Sequence, residues 1–583
     1  MELCGIMEKM EEIQEKLKEI VSRLFSLEVV PEVTVAPENT EADFASNVAM
    51  KLSRELHKNP REIAEKIKEE YGENVEVAGP GFLNFIARNE YWKTKLAEMS
   101  ADFEKNISSD EYSGKMVICE FSDPNPFKVL HVGHLYTSIV GDAISRLVEF
   151  AGGKVVRANF GGDVGLHVAK TLYALTAERS ASSEDALLTQ RTISTSRSGA
   201  PSSSHSISFK SELTIDDIAK AYVKGTQLYE DDEEAHKKIV ELNKEIYHIA
   251  ENNIHEGELA ELYWKGREIS YQYFEDFYKR VGVKFDKYYP ESTVAPRGLV
   301  EVKNHVGEVY EESDGAVVFP GEKYDLHTRV FVNAEGLPTY EAKDVGLIFT
   351  KWDDYRFDKS IVITGNDIID YMKVVLKSVS LYAPELVERT RHITHGNVRL
   401  PGNEKMSSRK GNFIKAVDVL DVVEDLVGQS SAGTQIALGA IKYAFLKYKI
   451  GGDIEFNAKE SVSTTGNSGV YLQYSAVRAK KILAGVKHSE SDFSKWELNE
   501  SEKKLIAKLT QYGQVLKEAL AEFAPHKVAN YLYEVAQEFS RFYENVKVAG
   551  TEYEAERATL VQVYYQTMEH GLKILGIEIP EEM

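Results

Sequence analysis

Two histidines flank a glycine where a strongly apolar segment begins. His131, Gly133 and His134 follow a loop that contains two prolines, and apolar residues recur at helical spacing from there to Phe150. A helix that begins at this point presents free N–H groups and the positive end of its dipole, which suits phosphate. Imidazoles can donate hydrogen bonds to phosphate oxygens, and glycine lets a ligand ring approach the backbone. The pattern favours a nucleotide-phosphate site over histidines that only cap or pack a helix.

The loop before the histidines carries three further polar groups at short spacing. Glu120 follows an apolar run, 115–119, that is typical of a buried strand, and Asn125 and Lys128 lie between that run and His131. Two prolines exclude regular structure between strand and helix. The order strand, loop, helix therefore places a carboxylate, an amide and an ammonium group beside the expected phosphate site.

A second polar segment lies far downstream and is basic. Its residues are Glu404, Lys405, Met406, Ser407, Ser408, Arg409, Lys410 and Gly411. Cations beside serines and a glycine can hold a polyphosphate. Alone, such a segment is more typical of a solvated basic loop. Its position after the histidine signature makes a joint nucleotide site the stronger interpretation.

Two more apolar runs end in glycine and a carboxylate, as strands of a parallel α/β sheet often do. The run 155–160 leads to two glycines and Asp163, and the run 361–364 leads to Gly365 and Asp367. Asp163 could bind a ligand or belong to an ordinary turn, and the sequence leaves both interpretations open.

Composition predicts a soluble globular protein of three or four domains. The 583 residues contain no apolar run near the roughly 18 residues of a membrane helix, and Cys4 and Cys119 are the only cysteines. The mixed-charge N-terminus shows no secretory signal, so a cytoplasmic location is expected. The formal net charge of −23 argues mildly against a nucleic-acid partner, but total charge does not report local positive surface.

The first part of the chain predicts a small α+β domain over residues 1–110. A helix is expected over 44–56, another begins at Pro60, and strand, turn, strand is expected over 75–87. Nothing in this domain has the pattern of a catalytic site.

The remainder predicts two further domains. Residues 111–455 read as the parallel-sheet domain, with an insertion over about 165–290 and a serine-rich loop over 180–211 that is too polar to order itself. Residues 456–583 read as a bundle of amphipathic helices. One expected apolar stripe of that bundle contains Val528, Leu532, Val535, Phe539 and Phe542.

The two polar signatures together resemble those of class I aminoacyl-tRNA synthetases. Lys405, Met406 and Ser407 match the second signature, whereas Ser408 stands where a second lysine is usual. Arginyl enzymes commonly lack that lysine, so this departure favours the arginyl branch, and Lys128 could supply the missing charge. The resemblance extends over nearly the whole chain apart from the serine-rich loop.

Resemblance to arginyl-tRNA synthetases implies a role for each site residue. Arginine would be held by Glu120, Asn125, Tyr340 and Asp344, the last two on one face of a predicted helix. A buried carboxylate suits a guanidinium, which donates in a planar fork. The resemblance assigns ATP to His131, Gly133, His134, Gly365, Asp367, Lys405, Met406, Ser407 and Arg409. It assigns catalytic charge stabilisation to His131, His134, Lys405 and Lys128.

The family implies an α/β fold with a Rossmann-type catalytic domain between an N-terminal domain that touches the tRNA elbow and a C-terminal anticodon-binding bundle. It implies ATP-dependent attachment of L-arginine to tRNA(Arg) through arginyl-adenylate, with Mg²⁺ accompanying ATP and no protein-bound metal. A monomer without membrane association is expected.

Two departures and two alternatives stay open. Tyr136 stands where the family has arginine, so a phosphate or helix contact could differ, and Ile368 replaces a polar residue after Asp367. One alternative is a nucleotidyltransferase of the same superfamily that acts on a small acceptor, which leaves both outer domains without a role. The other is an inactive relative that only binds RNA, against which the retained His131, His134 and Lys405 argue.

Overall fold

A computed structural model describes residues 5–37, 40, 42–177, 213–399, 401, 414–428, 431–486 and 490–583. These residues form two compact units. The central unit contains residues 110–463 and 575–577, and the terminal unit contains residues 1–109, 464–574 and 578–583. The serine-rich segment 180–211, which was expected to be disordered, lies outside the described residues.

The N-terminal part of the terminal unit is a four-stranded antiparallel sheet with helices beside it. The strand order is β1-β2-β4-β3. The strands are β1 (Val33–Val35), β2 (Phe44–Ser46), β3 (Val75–Ala78) and β4 (Phe82–Phe85). The helices are α1 (Gly5–Phe25), α2 (Val48–Leu56), α3 (Pro60–Tyr71), α4 (Asn89–Ala101) and α5 (Phe103–Ile107).

This sheet corrects one prediction and confirms two. The helix predicted over 44–56 is wrong in its first residues, because β2 fills the gap between β1 and β4 and gains backbone hydrogen bonds from both. The predicted strand, turn, strand over 75–87 is the β3–β4 hairpin. The predicted helix start at Pro60 is also confirmed, and Asn59 caps it by accepting a hydrogen bond from the Arg61 N–H.

The central unit is built on a five-stranded parallel sheet of order β12-β11-β5-β6-β7, as the predicted Rossmann-type fold requires. A smaller antiparallel sheet, β10-β9-β8, and a β13–β14 pair accompany it. The strands are β5 (Met116–Glu120), β6 (Lys154–Gly161), β7 (Lys287–Pro290), β8 (Glu311–Ser313), β9 (Ala316–Phe319), β10 (Arg329–Val332), β11 (Lys359–Gly365), β12 (Thr390–His395), β13 (Val398–Arg399) and β14 (Ile454–Glu455).

Helices of the central unit connect these strands, as parallel pairing demands. They are α6 (Val132–Phe150), α7 (166–177), α8 (Ile215–Asp231), α9 (Glu233–Glu251), α10 (Glu258–Val281), α11 (Glu291–Asn304), α12 (Tyr340–Tyr355), α13 (Ile369–Ser380), α14 (Pro384–Glu388), α15 (Ala416–Val427), α16 (Ser431–Leu446) and α17 (Ala458–Ser461). Two 3₁₀ turns cover Gly321–Tyr324 and Asn366–Ile368.

The carboxyl ends of the parallel strands form one edge of the sheet, where ligands of open α/β folds bind. Glu120 ends β5, Gly161 ends β6 and Gly365 ends β11. The strand interiors are apolar and buried on both faces, with Ile118, Ile363 and their neighbours almost without exposure. The polar strand-end residues predicted from sequence therefore converge on a single edge.

The C-terminal part of the terminal unit is helical. Its helices are α18 (Gly469–Ala484), α19 (Glu500–Leu509), α20 (Tyr512–Glu522), α21 (Pro525–Asn545) and α22 (Glu554–Ile574). The predicted stripe on α21 is buried at every position from Val528 to Phe542 that was named. Phe539 stacks on Tyr564 of α22 with ring centroids 3.8 Å apart, so the amphipathic pattern correctly identified the packed face.

Candidate active site

The loop between β5 and α6 has an unusual backbone that its neighbours hold in place. Ser122, Asp123 and Phe127 have φ angles of 74°, 48° and 66°, a region that costs residues other than glycine about 1–3 kcal/mol each. Each of the three residues has a hydrogen-bond partner in β6 or α10. The partners are the Tyr278 hydroxyl for Ser122, the Phe160 N–H for Asp123 and the Ser270 hydroxyl for the Phe127 N–H.

The two histidines cap the first turn of α6 with their own ring nitrogens. The Gly133 N–H donates to His131 Nδ1 at 3.1 Å, and the His131 N–H donates to His134 Nδ1 at 3.1 Å. Because Nδ1 accepts in both rings, a neutral ring carries its hydrogen on Nε2. The ring centroids are 3.8 Å apart. A Cβ on Gly133 would lie 2.8 Å from the His131 ring, so only glycine fits between them.

Both imidazoles are neutral near pH 7. Burial, reinforced by the nearby Lys128 ammonium, lowers the pKa of His131 to about 4. Burial and the adjacent His131 ring lower the pKa of His134 well below its usual value. The rings are therefore suited to donate from Nε2 to a phosphate rather than to attract it as cations.

A cavity of about 840 Å³ opens beside these rings and is rich in lysine. Asn125, Lys128, His131 and His134 line it from the loop, and α8 forms the facing wall. Its remaining charged residues are Asp216, Lys220, Lys224 and Lys415. A cavity of this size accommodates a nucleotide, and four lysines offset polyphosphate charge.

The segment that begins at Ile414, after the second signature, is hydrogen-bonded to the start of the histidine signature. The Val132 N–H donates to the Ile414 carbonyl at 3.1 Å, and the Ala416 N–H donates to the Leu130 carbonyl at 2.9 Å. An antiparallel bridge pairs His131 with Lys415 between them. Lys405, Met406, Ser407 and Arg409 themselves lie outside the described residues.

Glu120 is buried at the carboxyl end of β5 and carries an ion pair. Lys351 Nζ of α12 donates to Glu120 at 2.5 Å and to the Ser360 hydroxyl at 3.2 Å. Both charged side chains are under 5% exposed. The ion pair brings α12 against the strand end, so Glu120 does not face the cavity as an isolated carboxylate.

Asp344 lies two turns before Lys351 on the same helix and is partly exposed. It accepts a hydrogen bond from the Tyr371 hydroxyl of α13. Burial of the carboxyl group, together with the nearby Glu120 and Glu291, raises the pKa of Asp344 to about 7, although the Tyr371 hydrogen bond and Lys351 act to lower it. The site therefore concentrates negative charge that a cationic ligand would relieve.

Tyr340 lies on the same helix as Asp344, and Asn125 lies near Gly162, beside which Glu291 also lies. Tyr340 begins α12, one turn before Asp344, and is 57% exposed. Asn125 Oδ1 accepts the Gly162 N–H at 2.8 Å, which leaves its amide group to donate. Next to Gly162, the buried Glu291 is paired with Lys343 at 2.6 Å.

Gly365 and Asp367 stand at the end of β11. A Cβ on Gly365 would lie 2.5 Å from Asp367 Oδ1, so a larger residue here would displace the Asp367 carboxylate. Asp367 is exposed, and its charge opposes the lowering of the His131 pKa. The structure thus places Gly365 and Asp367 on the histidine side of the sheet edge.

Asp163 serves the fold, which decides the question that the sequence left open. Its carboxylate is fully buried and accepts from Arg267 Nε at 2.9 Å, from the Ser292 N–H at 2.9 Å and from the Ser292 hydroxyl at 2.7 Å. Tyr263 approaches at 3.4 Å. Four donors and complete burial make Asp163 a structural carboxylate.

Family models match all three parts of the chain. The model described as "tRNA synthetases class I (R), catalytic domain" matches residues 99–190 and 204–457, which is more than half of the chain. "Arginyl tRNA synthetase N terminal domain" matches residues 11–87, and "DALR anticodon binding domain" matches residues 472–583. The chain belongs to the class I arginyl-tRNA synthetase family. Its activity is accordingly the attachment of arginine to tRNA for translation.

Curated arginine–tRNA ligases match the chain over nearly the whole length of both proteins. An arginine–tRNA ligase from Clostridium perfringens is 28% identical over 596 residues and covers 98% of the chain and 99% of the relative. An arginine–tRNA ligase from Bacteroides thetaiotaomicron is 26% identical over 601 residues and covers 95% and 96%.

Solved arginyl-tRNA synthetases share the fold. The Thermus thermophilus structure has a TM-score of 0.72 at 24% identity, covering 98% of the chain and 100% of that structure. The Plasmodium falciparum structure has a TM-score of 0.72 at 19% identity and covers 99% of both.

Tyr136 stands where the resemblance predicts an arginine. Its side chain does not line the lysine-rich cavity. Tyr136 is fully buried, and its ring meets His395 and Phe445 edge-on at 4.7 and 5.5 Å. Among the described residues, none forms a hydrogen bond with its hydroxyl. Tyr136 is therefore a packing residue between α6, β12 and α16.

Three residues of the site escaped the sequence reasoning. Lys351 follows Asp344 by seven residues, a spacing that places both on one helix face and could have indicated it. Glu291 and Tyr371 lie on other helices, and no spacing connects them to Asp344.

Of the described helices, none is long and apolar enough to cross a membrane. In the same ranges, no group of three or more His, Cys, Asp or Glu side chains could hold a metal ion.

Proposed function

We propose that the chain activates L-arginine with ATP to give arginyl-adenylate and pyrophosphate, and that the terminal ribose of tRNA(Arg) then takes the arginyl group. The observation that carries this proposal is the loop from Glu120 to His134. One end of it meets an acidic region suited to a guanidinium, and the other end meets a lysine-lined cavity with two phosphate-binding rings.

In this proposal the acidic region holds arginine. Asp344 binds the guanidinium, Tyr340 covers it from the exposed side, and Asn125 donates from its amide to the carboxylate. Glu120 binds the α-ammonium group of arginine while it keeps its ion pair with Lys351. The raised pKa of Asp344 supports this arrangement, because a bound guanidinium would stabilise the ionised carboxylate.

ATP occupies the lysine-lined cavity. His131 and His134 donate to its phosphates through Nε2, Gly133 and Gly365 allow the nucleotide to approach the backbone, and Asp367 contacts the ribose. The second signature also contributes to ATP binding. Its contributors are Lys405, Met406, Ser407 and Arg409.

Catalysis needs no protein nucleophile, because both attacking oxygens belong to substrates. The arginine carboxylate attacks the α-phosphate, and pyrophosphate leaves with its negative charge stabilised by Lys128 and Lys405. The neutral rings of His131 and His134 stabilise the charge that develops on the α-phosphate oxygens. Magnesium enters as part of the ATP substrate and neutralises the departing phosphates.

The three predicted domains divide the tRNA contacts. Residues 111–455 perform the chemistry, residues 1–110 touch the tRNA elbow and residues 456–583 bind the anticodon. On the C-terminal helices, the Arg478 guanidinium lies 4.7 Å from the Tyr474 ring and 4.6 Å from the Tyr543 ring, and Tyr543 is 45% exposed. Unpaired bases stack on such surfaces. We propose that the protein works as a cytoplasmic monomer.

Pyrophosphate exchange tests the proposal against its two alternatives. Labelled pyrophosphate, ATP and arginine are incubated with the full chain, with and without tRNA(Arg). Exchange that requires both arginine and tRNA is expected. Exchange in the absence of both arginine and tRNA would support a nucleotidyltransferase that uses another acceptor. The absence of exchange under every condition would support a protein that only binds RNA. Lysine in place of arginine is the matched substrate control.

A further inference from the structure

Asp344 has a single hydrogen-bond donor in the described part of the chain. The Tyr371 hydroxyl donates to Oδ2 of the carboxylate. A carboxylate can accept at about four positions, so Oδ1 retains its full capacity for a ligand. Asp163, by comparison, accepts several hydrogen bonds. Asp344 is therefore oriented by one hydrogen bond and can accept more.

Tyr371 is held firmly enough to orient its partner. It lies in the first turn of α13 and packs against the core of the central unit. The Arg329 guanidinium of β10 lies 5.4 Å from the centre of its ring, and Arg329 is paired with Glu341 of α12 at 3.2 Å. Burial and the neighbouring Asp344 charge keep the pKa of Tyr371 well above its usual value, so the hydroxyl stays a donor.

The surroundings of Asp344 would otherwise favour its protonated form. Burial, Glu120 and Glu291 all disfavour the charged carboxylate, whereas Tyr371 and Lys351 favour it. Asp123 also lies within electrostatic reach of Asp344. Two groups, Tyr371 and Lys351, thus favour the ionised carboxylate. Of these two, only Tyr371 donates a hydrogen bond to it in the described part of the chain.

We propose that Tyr371 is a positioning and specificity residue, which orients the Asp344 carboxylate by its hydrogen bond and favours its ionised form, so that the pocket selects a guanidinium over an uncharged urea group. This inference rests on the proposed role of Asp344 in arginine binding. A guanidinium has donors on every nitrogen and meets an ionised carboxylate with two hydrogen bonds. The ureido group of citrulline replaces one donor with a carbonyl oxygen, which an ionised carboxylate repels and a protonated one can bind.

Tyr371→Phe in the full chain tests the proposal, because it removes only the hydroxyl. The arginine KM is expected to rise about tenfold, with kcat and the ATP KM changed by less than about twofold. The pH below which arginine affinity declines should move upward, and citrulline should become a better competitor relative to arginine. Tyr310→Phe is the matched control, since its hydroxyl bonds to Ser378 in the same core; it should leave all five quantities unchanged.

Asp344→Ala separates this inference from the proposed function. If Asp344→Ala loses arginine binding while Tyr371→Phe matches the wild type in KM, pH profile and citrulline competition, the inference about Tyr371 is overturned and the pocket stands. If Asp344→Ala keeps a normal arginine KM, the proposed pocket itself is wrong. A Tyr371→Phe effect confined to kcat would also overturn the inference, because a positioning role in binding must change KM.

Discussion

The proposed site has two halves that the loop from Glu120 to His134 connects, a histidine half beside the lysine-lined cavity and an acidic half around Asp344, and the two halves differ in charge. On the histidine side, burial keeps the rings of His131 and His134 neutral, so they offer fixed donors while surrounding lysines supply the positive charge. On the acidic side, burial raises the pKa of Asp344 to about 7, so a bound cation would favour the ionised carboxylate. The same desolvation thus prepares one half for an anion and the other for a guanidinium.

Asp163 shows why burial alone does not identify a binding carboxylate. Asp163 and Asp344 both lie in the central unit. Arg267, Ser292 and Tyr263 donate to the first, whereas among the described residues only Tyr371 donates to the second. The number of donors distinguishes a carboxylate that stabilises the fold from one that is prepared for a ligand.

Asp344→Ala should produce the largest change and affect only the acidic half. Removing one partner of a buried charge pair costs about 2–5 kcal/mol, so the arginine KM should rise by about a hundredfold or more. The ATP KM should stay near the wild-type value. Steady-state aminoacylation at varied arginine and varied ATP measures both. A comparable rise in the ATP KM would show that the two halves are not separate.

His134→Asn should impair the histidine half while preserving its helix. Asparagine is a good N-terminal helix residue and can replace Nδ1 as the acceptor of the His131 N–H, but it cannot reach as far as Nε2. We expect kcat to fall by about a hundredfold, as when one donor to a developing anion is lost. The arginine KM should change by less than about twofold. His134→Gln, whose amide can reach the Nε2 position, should recover part of kcat.

Arginine affinity should depend on pH with a sign set by Asp344. Below a pKa of about 7 the free enzyme carries a neutral carboxyl group, and arginine must displace that proton. The arginine KM should therefore rise toward about tenfold per pH unit as the pH falls below 7, and level off above it. The groups that face this carboxyl are Glu120, Glu291, Asp123, Lys351 and Tyr371. A KM that is flat between pH 6 and 8 would contradict the raised pKa.

Asp163→Asn should have the smallest kinetic effect, although it disrupts a buried ion pair. Loss of the charge that Arg267 meets should lower the free energy of unfolding by about 3 kcal/mol. The arginine KM should remain within about twofold of the wild-type value. Denaturant titration and steady-state kinetics measure the two effects. A large rise in arginine KM without loss of stability would show that Asp163 binds the substrate after all.

Local patterns in the sequence predicted the secondary structure around the site but not the contacts between its side chains. The apolar run before Glu120 and the helical spacing after His134 fixed the strand, the loop and the helix, because both signals lie within a few residues. The helix expected over 44–56 began too early, since pairing of β2 with two other strands overrode local propensity.

Contacts across long separations could not be predicted in the same way. Glu120 and Lys351 are 231 residues apart, and Asp344 meets Tyr371 from a different helix. The sequence supplied the carboxylates of the acidic half but gave no sign that Glu120 already has a buried partner. Family resemblance supplied the prediction of which residues bind arginine, whereas the pairing and protonation of these residues follow from the packing of β5, α12 and α13.

Separate binding of each substrate tests the central claim most directly. Calorimetric titrations of arginine and of a non-hydrolysable ATP analogue, both in the presence of tRNA(Arg), would be run on the wild type, Asp344→Ala and Lys128→Ala. Asp344→Ala should lose arginine binding and keep the nucleotide, and Lys128→Ala should weaken the nucleotide and keep arginine. A result in which either variant loses both ligands, or Asp344→Ala binds arginine normally, would contradict the division of the site into two halves.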